Sequence, residues 1–406
     1  MRYDRETLYT IFKSSPEVAS ILSAEMMRQK ANIELIASEN FPSKAVMAAC
    51  GSAFMAKYTE GYPSNRYYGG CQYYDQLETY CQDKWKEAFK TDYHVNVQPH
   101  SGSQANYAAY AAVLQPGDTI LAMELQNGGH LTHGSPVNFS GKLYNMVFYG
   151  VDDSGRIDYE DFESKIKDYH PSLVVAGASA YSRIIDFKRM SKIIDSCSTP
   201  EYRPFFMVDM AHIAGLIVAG EHPTPFGYAD IITTTTHKTL RGPRGGMIFC
   251  KPALARKIDS AVFPGSQGGP LQNIIAGKAI AAEEACKASY RSYIRKVVAN
   301  TKAMADEFIK MGYDVVTGGT DNHLFMLDFS RTHPNLTGLM VQEALDEVRI
   351  TLNKNCVPNE KRSPKQTSGV RIGCAAMTTL GYNKYDFIRV AHKIDKVIKK
   401  LKEKIC

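Results

Sequence analysis

Two residues of this 406-residue chain combine a reactive type with a telling setting: Lys238 and Asp209. Lys238 stands in the stretch 231–246, IITTTTHKTLRGPRGG. The stretch opens as an apolar and β-branched run, the composition of a buried strand. It closes in a turn rich in glycine and proline, at Gly242, Pro243, Gly245 and Gly246. Lys238 is therefore expected just past the end of a buried strand, its stem packed and its amine facing a cleft. Desolvation disfavours the ammonium form, and a neutral amine forms a Schiff base with a carbonyl. A lone lysine is more often a solvated surface residue, so its company decides the reading. Asp209 ends the run PFFMVD (204–209), and His212 follows it. In an open parallel sheet, ligands bind at the carboxyl ends of the strands, where both residues would lie. A carboxylate there can hold a proton on a cationic ring nitrogen, and a lysine beside it can hold an aldehyde. Those are the needs of pyridoxal phosphate. The alternative for Asp209 is a carboxylate capping a helix that starts at Met210.

Further groups could serve the same site. In the stretch 100–106, HSGSQAN, the small residues Ser101, Gly102 and Ser103 precede a helix whose first amides are free, a cradle for a phosphate. Taken alone, Ser-Gly-Ser is only a helix cap. His130 and His133, in GGHLTHGS, offer flat rings that could stack on a cofactor. They could also bind a metal, with Asp209 and His212 as further ligands, but no third short-spaced cluster completes such a site and that reading leaves Lys238 without a task, so no metal is expected. Arg371, in TSGVRIG, carries a guanidinium suited to gripping a carboxylate with two parallel bonds; by itself it reads as an exposed arginine.

The elements that must position these groups are legible from periodicity. Strand-like runs at 119–123, 172–177, 204–209, 230–236 and 246–250 alternate with helical stretches at 103–114, 158–167 and 187–196. That alternation predicts a mostly parallel sheet flanked by helices. Residues 1 to about 30 read as amphipathic helix, and 31 to about 100 as loops dense in Gly and Tyr. A long helical pattern over 270–312, broken once or twice, leads to a smaller α+β unit that ends in a Lys-rich helix at 384–405. Hydrophobic residues make up 44% and charged residues 22%, an ordinary globular balance. The net charge of +6 is too mild to imply nucleic acid and suits anionic small molecules. No apolar run approaches the roughly 20 residues of a membrane span, and the N-terminus lacks the apolar core of a signal peptide. Nine scattered cysteines without a CxxC pair fit a reducing cytosol.

With these residues in hand, the chain resembles serine hydroxymethyltransferase, a family of fold type I pyridoxal-phosphate enzymes, from about residue 33 to about 378. The matching strings are IELIASEN, KYTEGYPSNRYYGG, NVQPHSGSQAN, GGHLTHGSPVNFSGKLYN, VDMAHIAGL, TTTTHKTLRGPRGG, FPGSQGGP, GGTDNHL, NKNCVPN and TSGVRIG. The resemblance implies an α/β fold type I transferase with a smaller C-terminal α+β domain. It divides the chain into an arm (1–50), a large cofactor-binding domain (51–280) and a small domain (281–406). It implies reversible conversion of serine and tetrahydrofolate to glycine and methylenetetrahydrofolate, in the cytoplasm, by a homodimer or a tetramer with shared sites.

Residue by residue, the resemblance makes Lys238 the Schiff-base lysine and Asp209 the partner of the pyridine nitrogen. His130 stacks on the ring, and Ser179 and His212 lie near its hydroxyl. Ser101, Gly102, Ser103 and His237 hold the phosphate, with Tyr58 and Gly269 reaching it from the other subunit. Ser38 and Arg371 grip the amino-acid carboxylate. Glu60 and Tyr68, also from the partner, handle the hydroxymethyl group, and Leu125, Leu131, Asn355 and Glu60 contact folate. The chain departs from the family pattern at Cys374-Ala375-Ala376, where Thr-Pro-Ala is usual, at Leu380, where an arginine is usual, and at Thr59, where alanine is usual. These departures bear on folate affinity and turnover more than on cofactor chemistry. Two other readings remain: a folate-independent aldolase on the same scaffold, and an RNA-binding protein using its basic surface, which salt-sensitive retention would reveal.

Overall fold

The computed structural model describes residues 5–405. A seven-stranded sheet runs in the order His94–Asn96, Gly246–Cys250, Ile231–Thr235, Phe205–Asp209, Leu173–Ala176, Thr119–Met123, Asn145–Tyr149. Only Gly246–Cys250 opposes its neighbours; the other pairings that join the last five strands are parallel. The expected runs are all strands. Asn145–Tyr149, at the sheet edge, and the short His94–Asn96 were not anticipated, the latter because its run is too short to show a period.

The strand sequences explain why they read as continuous apolar runs. Side chains alternate between faces, and here both faces are covered. Leu121, Met123, Val174, Phe206, Val208, Ile232 and Phe249 enter one core with Trp85, Phe162 and Phe187. Ile120, Ala122, Leu173, Val175, Met207, Ile231 and Ile248 enter the other, beneath the helix Gly102–Val113. Each such side chain contributes roughly 1.5–3 kcal/mol on burial, so register is strongly specified: a one-residue slip would exchange the two faces.

Residues 31–100 are not the loops expected. They hold the helices Lys44–Cys50 and Gln72–Phe89, and a short hairpin of Gly61–Tyr62 with Asn65–Arg66. Within Gln72–Phe89, Glu78, Cys81, Trp85, Ala88 and Phe89 are buried at helical spacing. One of those buried positions is a carboxylate, which hides the stripe from a hydrophobic reading. The long helical pattern breaks once, into Gln272–Cys286 and Ala288–Lys310. The second of these helices spans two cores. Tyr290, Ile294 and Val297 pack with the large sheet. Met304, Ala305 and Phe308 pack with Phe325, Leu327, Val370, Ile372, Phe387 and Ile394 around a four-stranded antiparallel sheet. Ile33–Glu34 pairs in parallel with Ile350–Thr351, so the chain reaches this second core before it enters the first. Among the described residues no helix is long and apolar enough to cross a membrane, and no disulfide joins the cysteines.

Candidate active site

The parallel strands place Met123, Ala176, Asp209 and Thr235 at one edge of the sheet, and the functional groups gather there. Strand Ile231–Thr235 ends, and a turn carries His237 and Lys238. The turn is closed by the Arg241 N–H donating to the Lys238 carbonyl at 3.1 Å. Arg241 takes a left-handed φ of 60°, and its guanidinium sits over the Tyr293 ring, 4.6 Å from the centroid. The Lys238 carbonyl also accepts from Asn40 Nδ2 at 3.0 Å. The Lys238 side chain is buried at 8% exposure. Burial pushes its amine down from 10.5 to about 8, against the pull of Asp209 and with the push of Arg371 and Arg244.

Asp209 is held by groups from three segments. Its Oδ1 accepts from the Ala211 amide at 3.0 Å. Its Oδ2 accepts from Asn106 Nδ2 at 2.9 Å and bonds His133 Nε2 at 3.0 Å. No helix starts at Met210; the next one is Ala214–Ala219, so the capping alternative falls. His133 Nδ1 accepts from the His130 amide at 3.4 Å, which leaves Nε2 as the nitrogen that donates to Asp209. Burial by itself would raise the Asp209 carboxyl. The hydrogen bond from His133 and the nearby Lys238 amine instead hold it well below the usual carboxylate range.

Asn106 extends the network. It donates also to Thr132 Oγ1 at 2.7 Å and accepts from Thr233 Oγ1 at 2.6 Å. Thr132 Oγ1 in turn lies 2.7 Å from His130 Nδ1. Burial pushes His130 down to about 4, so its ring is neutral near pH 7. His130, His133 and Asp209 have ligand atoms within 4.8 Å of one another, a grouping a divalent ion could share. The hydrogen bonds just described, however, already engage both Asp209 oxygens, both Nδ1 atoms and His133 Nε2.

The cavity beside these groups holds about 610 Å³ and is lined by Ser38, Leu125, His130, Leu131, Ser179, His212, His237, Lys238, Arg244, Asn353, Asn355 and Arg371, among others. Arg371 comes from the small sheet, on strand Gly369–Gly373. Its Nη1 donates to the Ser179 carbonyl at 2.7 Å and its Nε to Asn353 Oδ1 at 3.2 Å. Burial pushes it down to about 10, and among the described residues no acid stands within ion-pair distance of it. A buried guanidinium without a carboxylate is a costly arrangement, and it is the arrangement expected of a group whose anion arrives with a ligand. His212 stacks on His323, with ring centroids 5.5 Å apart and Nδ1 to Nε2 3.3 Å. Burial pushes His212 well below its usual range and His323 to about 3.

Ser101 caps the helix Gly102–Val113 by accepting from the Gln104 amide at 3.2 Å. The Gly102 and Ser103 amides are then among the unpaired donors of a helix start. A β-carbon at Gly102 would lie 2.6 Å from Thr235 Cγ2, so only glycine lets the helix come this close to the strand end. Thr235 Oγ1 and His237 Nδ1 are buried without a partner.

Tyr58, Glu60, Tyr68 and Gly269 do not line this cavity. They gather in a second cluster. Tyr58 and Tyr68 have ring centroids 5.8 Å apart. A β-carbon at Gly269 would lie 3.2 Å from the Tyr58 ring, and one at Gly268 would lie 3.4 Å from Glu60 Oε1. Sequence reasoning did not single out Asn106, Thr132, Asn353, Arg244 or His323. The one available signal was that Asn106 falls one helical turn after Gly102, on the same face.

A mostly parallel sheet with a strand-end lysine, an ionised strand-end acid and a helix N-terminus beside them defines a fold type I pyridoxal-phosphate enzyme. The donor set fits that group: a low-lying amine, a permanent carboxylate, free helix amides and two orphaned buried polar atoms. The model of one family, serine hydroxymethyltransferase, matches residues 11–394, and the chain belongs to that family. It is a pyridoxal-phosphate-dependent glycine/serine hydroxymethyltransferase, a one-carbon transferase acting on serine, glycine and tetrahydrofolate.

Proposed function

We propose that the reaction runs in the cavity between Lys238 and Arg371, with the following division of labour. Lys238 holds the cofactor aldehyde, which its buried amine favours by being readily neutral. Asp209, ionised and fixed by His133 and Asn106, holds a proton at the pyridine nitrogen. His130 lies against the ring; Ser179 and His212 stand near its hydroxyl. Ser101, Gly102, Ser103 and His237 take the phosphate, which the cap geometry and the orphaned His237 Nδ1 support. When bound, pyridoxal phosphate supplies an electron-withdrawing ring that accepts the charge left by a bond breaking at the amino-acid Cα. Ser38 and Arg371 grip the substrate carboxylate. Because Ser179 and Asn353 fix the Arg371 fork, the grip also orients the breaking bond. Leu125, Leu131 and Asn355 face the folate, the two leucines excluding water with apolar surface and Asn355 offering a polar amide.

Tyr58 and Gly269 reach the phosphate, and Glu60 and Tyr68 the hydroxymethyl group, from a partner subunit, so the working unit is a homodimer or a tetramer built from it. Their absence from the cavity of their own chain and the exposure of Tyr58 (65%) and Tyr68 (47%) support this reading. Glu60 moves the proton of the hydroxymethyl group. The same reading divides the chain at 50 and 280 and places it in the cytoplasm, where unpaired thiols persist.

The observation that carries the proposal is the pairing, across one cavity, of a buried amine with a buried guanidinium that has no acid of its own. Its test is Lys238→Gln, purified with pyridoxal phosphate. The visible absorption of lysine-bound aldehyde and its bleaching by borohydride are expected to vanish, and serine cleavage to fall by about 10³ or more. Undiminished bleaching and turnover would discard the assignment.

A further inference from the structure

We propose that Lys278, which touches no cofactor-binding side chain assigned above, is a positioning residue for the phosphate cradle: its buried ammonium gathers three backbone carbonyls and so sets where Ser101 and Gly102 stand. The proposal rests on the assignment of Ser101, Gly102 and Ser103 to the phosphate. Lys278 lies within the helix Gln272–Cys286 at 2% exposure. Its Nζ donates to the carbonyls of Val97 at 2.6 Å, Gly246 at 2.8 Å and Pro99 at 3.1 Å. Among the described residues no carboxylate lies within ion-pair distance of it. An ammonium has three hydrogens, so these carbonyls take all of them, whereas a neutral amine could serve only two of the three.

The carbonyls are available for a topological reason. Strands His94–Asn96 and Gly246–Cys250 pair through Asn96 and Ile248. Beyond that point the first strand turns away through Pro99 toward Ser101. The Gly246 amide still donates to the Pro99 carbonyl at 3.0 Å, and Lys278 closes the gap that remains. Gly246 in turn abuts the cradle: a β-carbon there would overlap the Ser101 carbonyl. Residue 245 is pressed on Lys278 itself, since a β-carbon at Gly245 would lie 2.5 Å from Lys278 Cε. The Gly245 carbonyl accepts from the Thr236 amide at 3.1 Å, so the turn carrying His237 and Lys238 closes on the same point. One buried cation thus joins the segment that offers helix amides to the segment that offers the amine.

The test compares ligands with and without a phosphate. Apoprotein of the wild type and of Lys278→Met is titrated with pyridoxal phosphate, pyridoxal and inorganic phosphate. Binding is followed by visible absorption, by the borohydride-trapped fraction and, for inorganic phosphate, by thermal shift. Lys278→Met is expected to lose about ten- to a hundredfold in affinity for pyridoxal phosphate and for inorganic phosphate, as buried acceptors are orphaned and the cradle loosens. Pyridoxal is expected to lose no more than about threefold. Retention of the wild-type preference for the phosphorylated form, or an equal loss for pyridoxal and its phosphate, overturns the proposal. If Lys278→Met does not fold, Gly245→Ala displaces the ammonium while every partner remains. The same selective loss is expected of it, and an unchanged preference again overturns the proposal. Should the wild type itself show no advantage for the phosphorylated form, the cradle assignment fails rather than the role of Lys278.

Discussion

The Lys238 cavity and the Tyr58 cluster are built in opposite ways. In the cavity the side chains are fixed. Asp209 is held from three segments, the Arg371 fork from two, and His130 through Thr132. In the Tyr58 cluster the backbone is fixed and the side chains are free. Arg66 donates to the Thr59 and Gly61 carbonyls at 2.9 and 2.8 Å and pairs with the buried Glu78 at 2.7 Å. Gln272 joins Glu78 to the Thr59 hydroxyl, at 3.0 and 3.1 Å, so the threonine that departs from the family pattern is absorbed into this network. Tyr62 anchors the same hairpin on the Asp259 carbonyl at 2.6 Å. Above this support, Tyr58, Tyr67 and Tyr68 stand largely exposed. A rigid backbone carrying exposed aromatic groups is the anatomy of a surface that meets another surface, whereas a cavity of mutually bonded side chains is preorganised for a small ligand.

The largest effect tests that contrast directly. Lys238→Gln and Glu60→Gln chains, each inactive alone, are unfolded together and refolded. If sites are shared, the mixed dimer holds one intact site, and equal mixing restores roughly a quarter of wild-type serine cleavage. If each chain builds its own site, the mixture stays inactive. Next in size is Glu78→Gln, which removes one of the two acids paired with the buried Arg66 and leaves Asp75, at 2.8 Å, as the other. A loss of about 1.5–3 kcal/mol is expected, read from the urea midpoint, and an exposed surface salt bridge would give less.

A smaller effect concerns pH. The folded pKa of Lys238 lies below its ordinary 10.5, at about 8. The stability it contributes is therefore fully present above the unfolded value and is lost as pH falls through about 8, where the native amine takes up its proton. Association of apoprotein with pyridoxal phosphate should accordingly rise with pH up to about 8 and then level. Asp209→Asn removes the one group that raises this amine and should move the rise to lower pH; a rise that stays in place would remove Asp209 from the electrostatics of the site. The smallest expected effect comes from Cys374→Thr with Ala375→Pro, beside the strand that carries Arg371. Ala375 opens the helix Ala375–Thr379, a position where proline is accepted. The double variant should tighten serine or folate binding by about two- to fivefold, equivalent to 0.4–1 kcal/mol. Unchanged KM values for both would show that the departure from the family pattern is neutral.

What the amino-acid order determined by itself is local. β-branched and apolar runs bounded by turns marked the buried strands, the 3.6-residue period marked the flanking helices, and the ends of two runs placed Lys238 and Asp209 at one edge of a sheet. The strings around them were long enough to show the family resemblance and, with it, the residues that line the cavity. The tertiary structure alone decided which groups meet. His133 finds its acid 76 positions away, the Arg371 fork rests on a carbonyl 192 positions away, and Lys278 collects carbonyls as far as 181 positions away. Periodicity records which face of an element is buried. It carries no record of which distant polar atom meets that face, because a buried donor accepts any well-placed acceptor, and the chain's path, not its local composition, brings one within reach. The Glu78 helix shows the same limit, since its buried carboxylate reads as a solvated position until Arg66 and Gln272 are seen beside it.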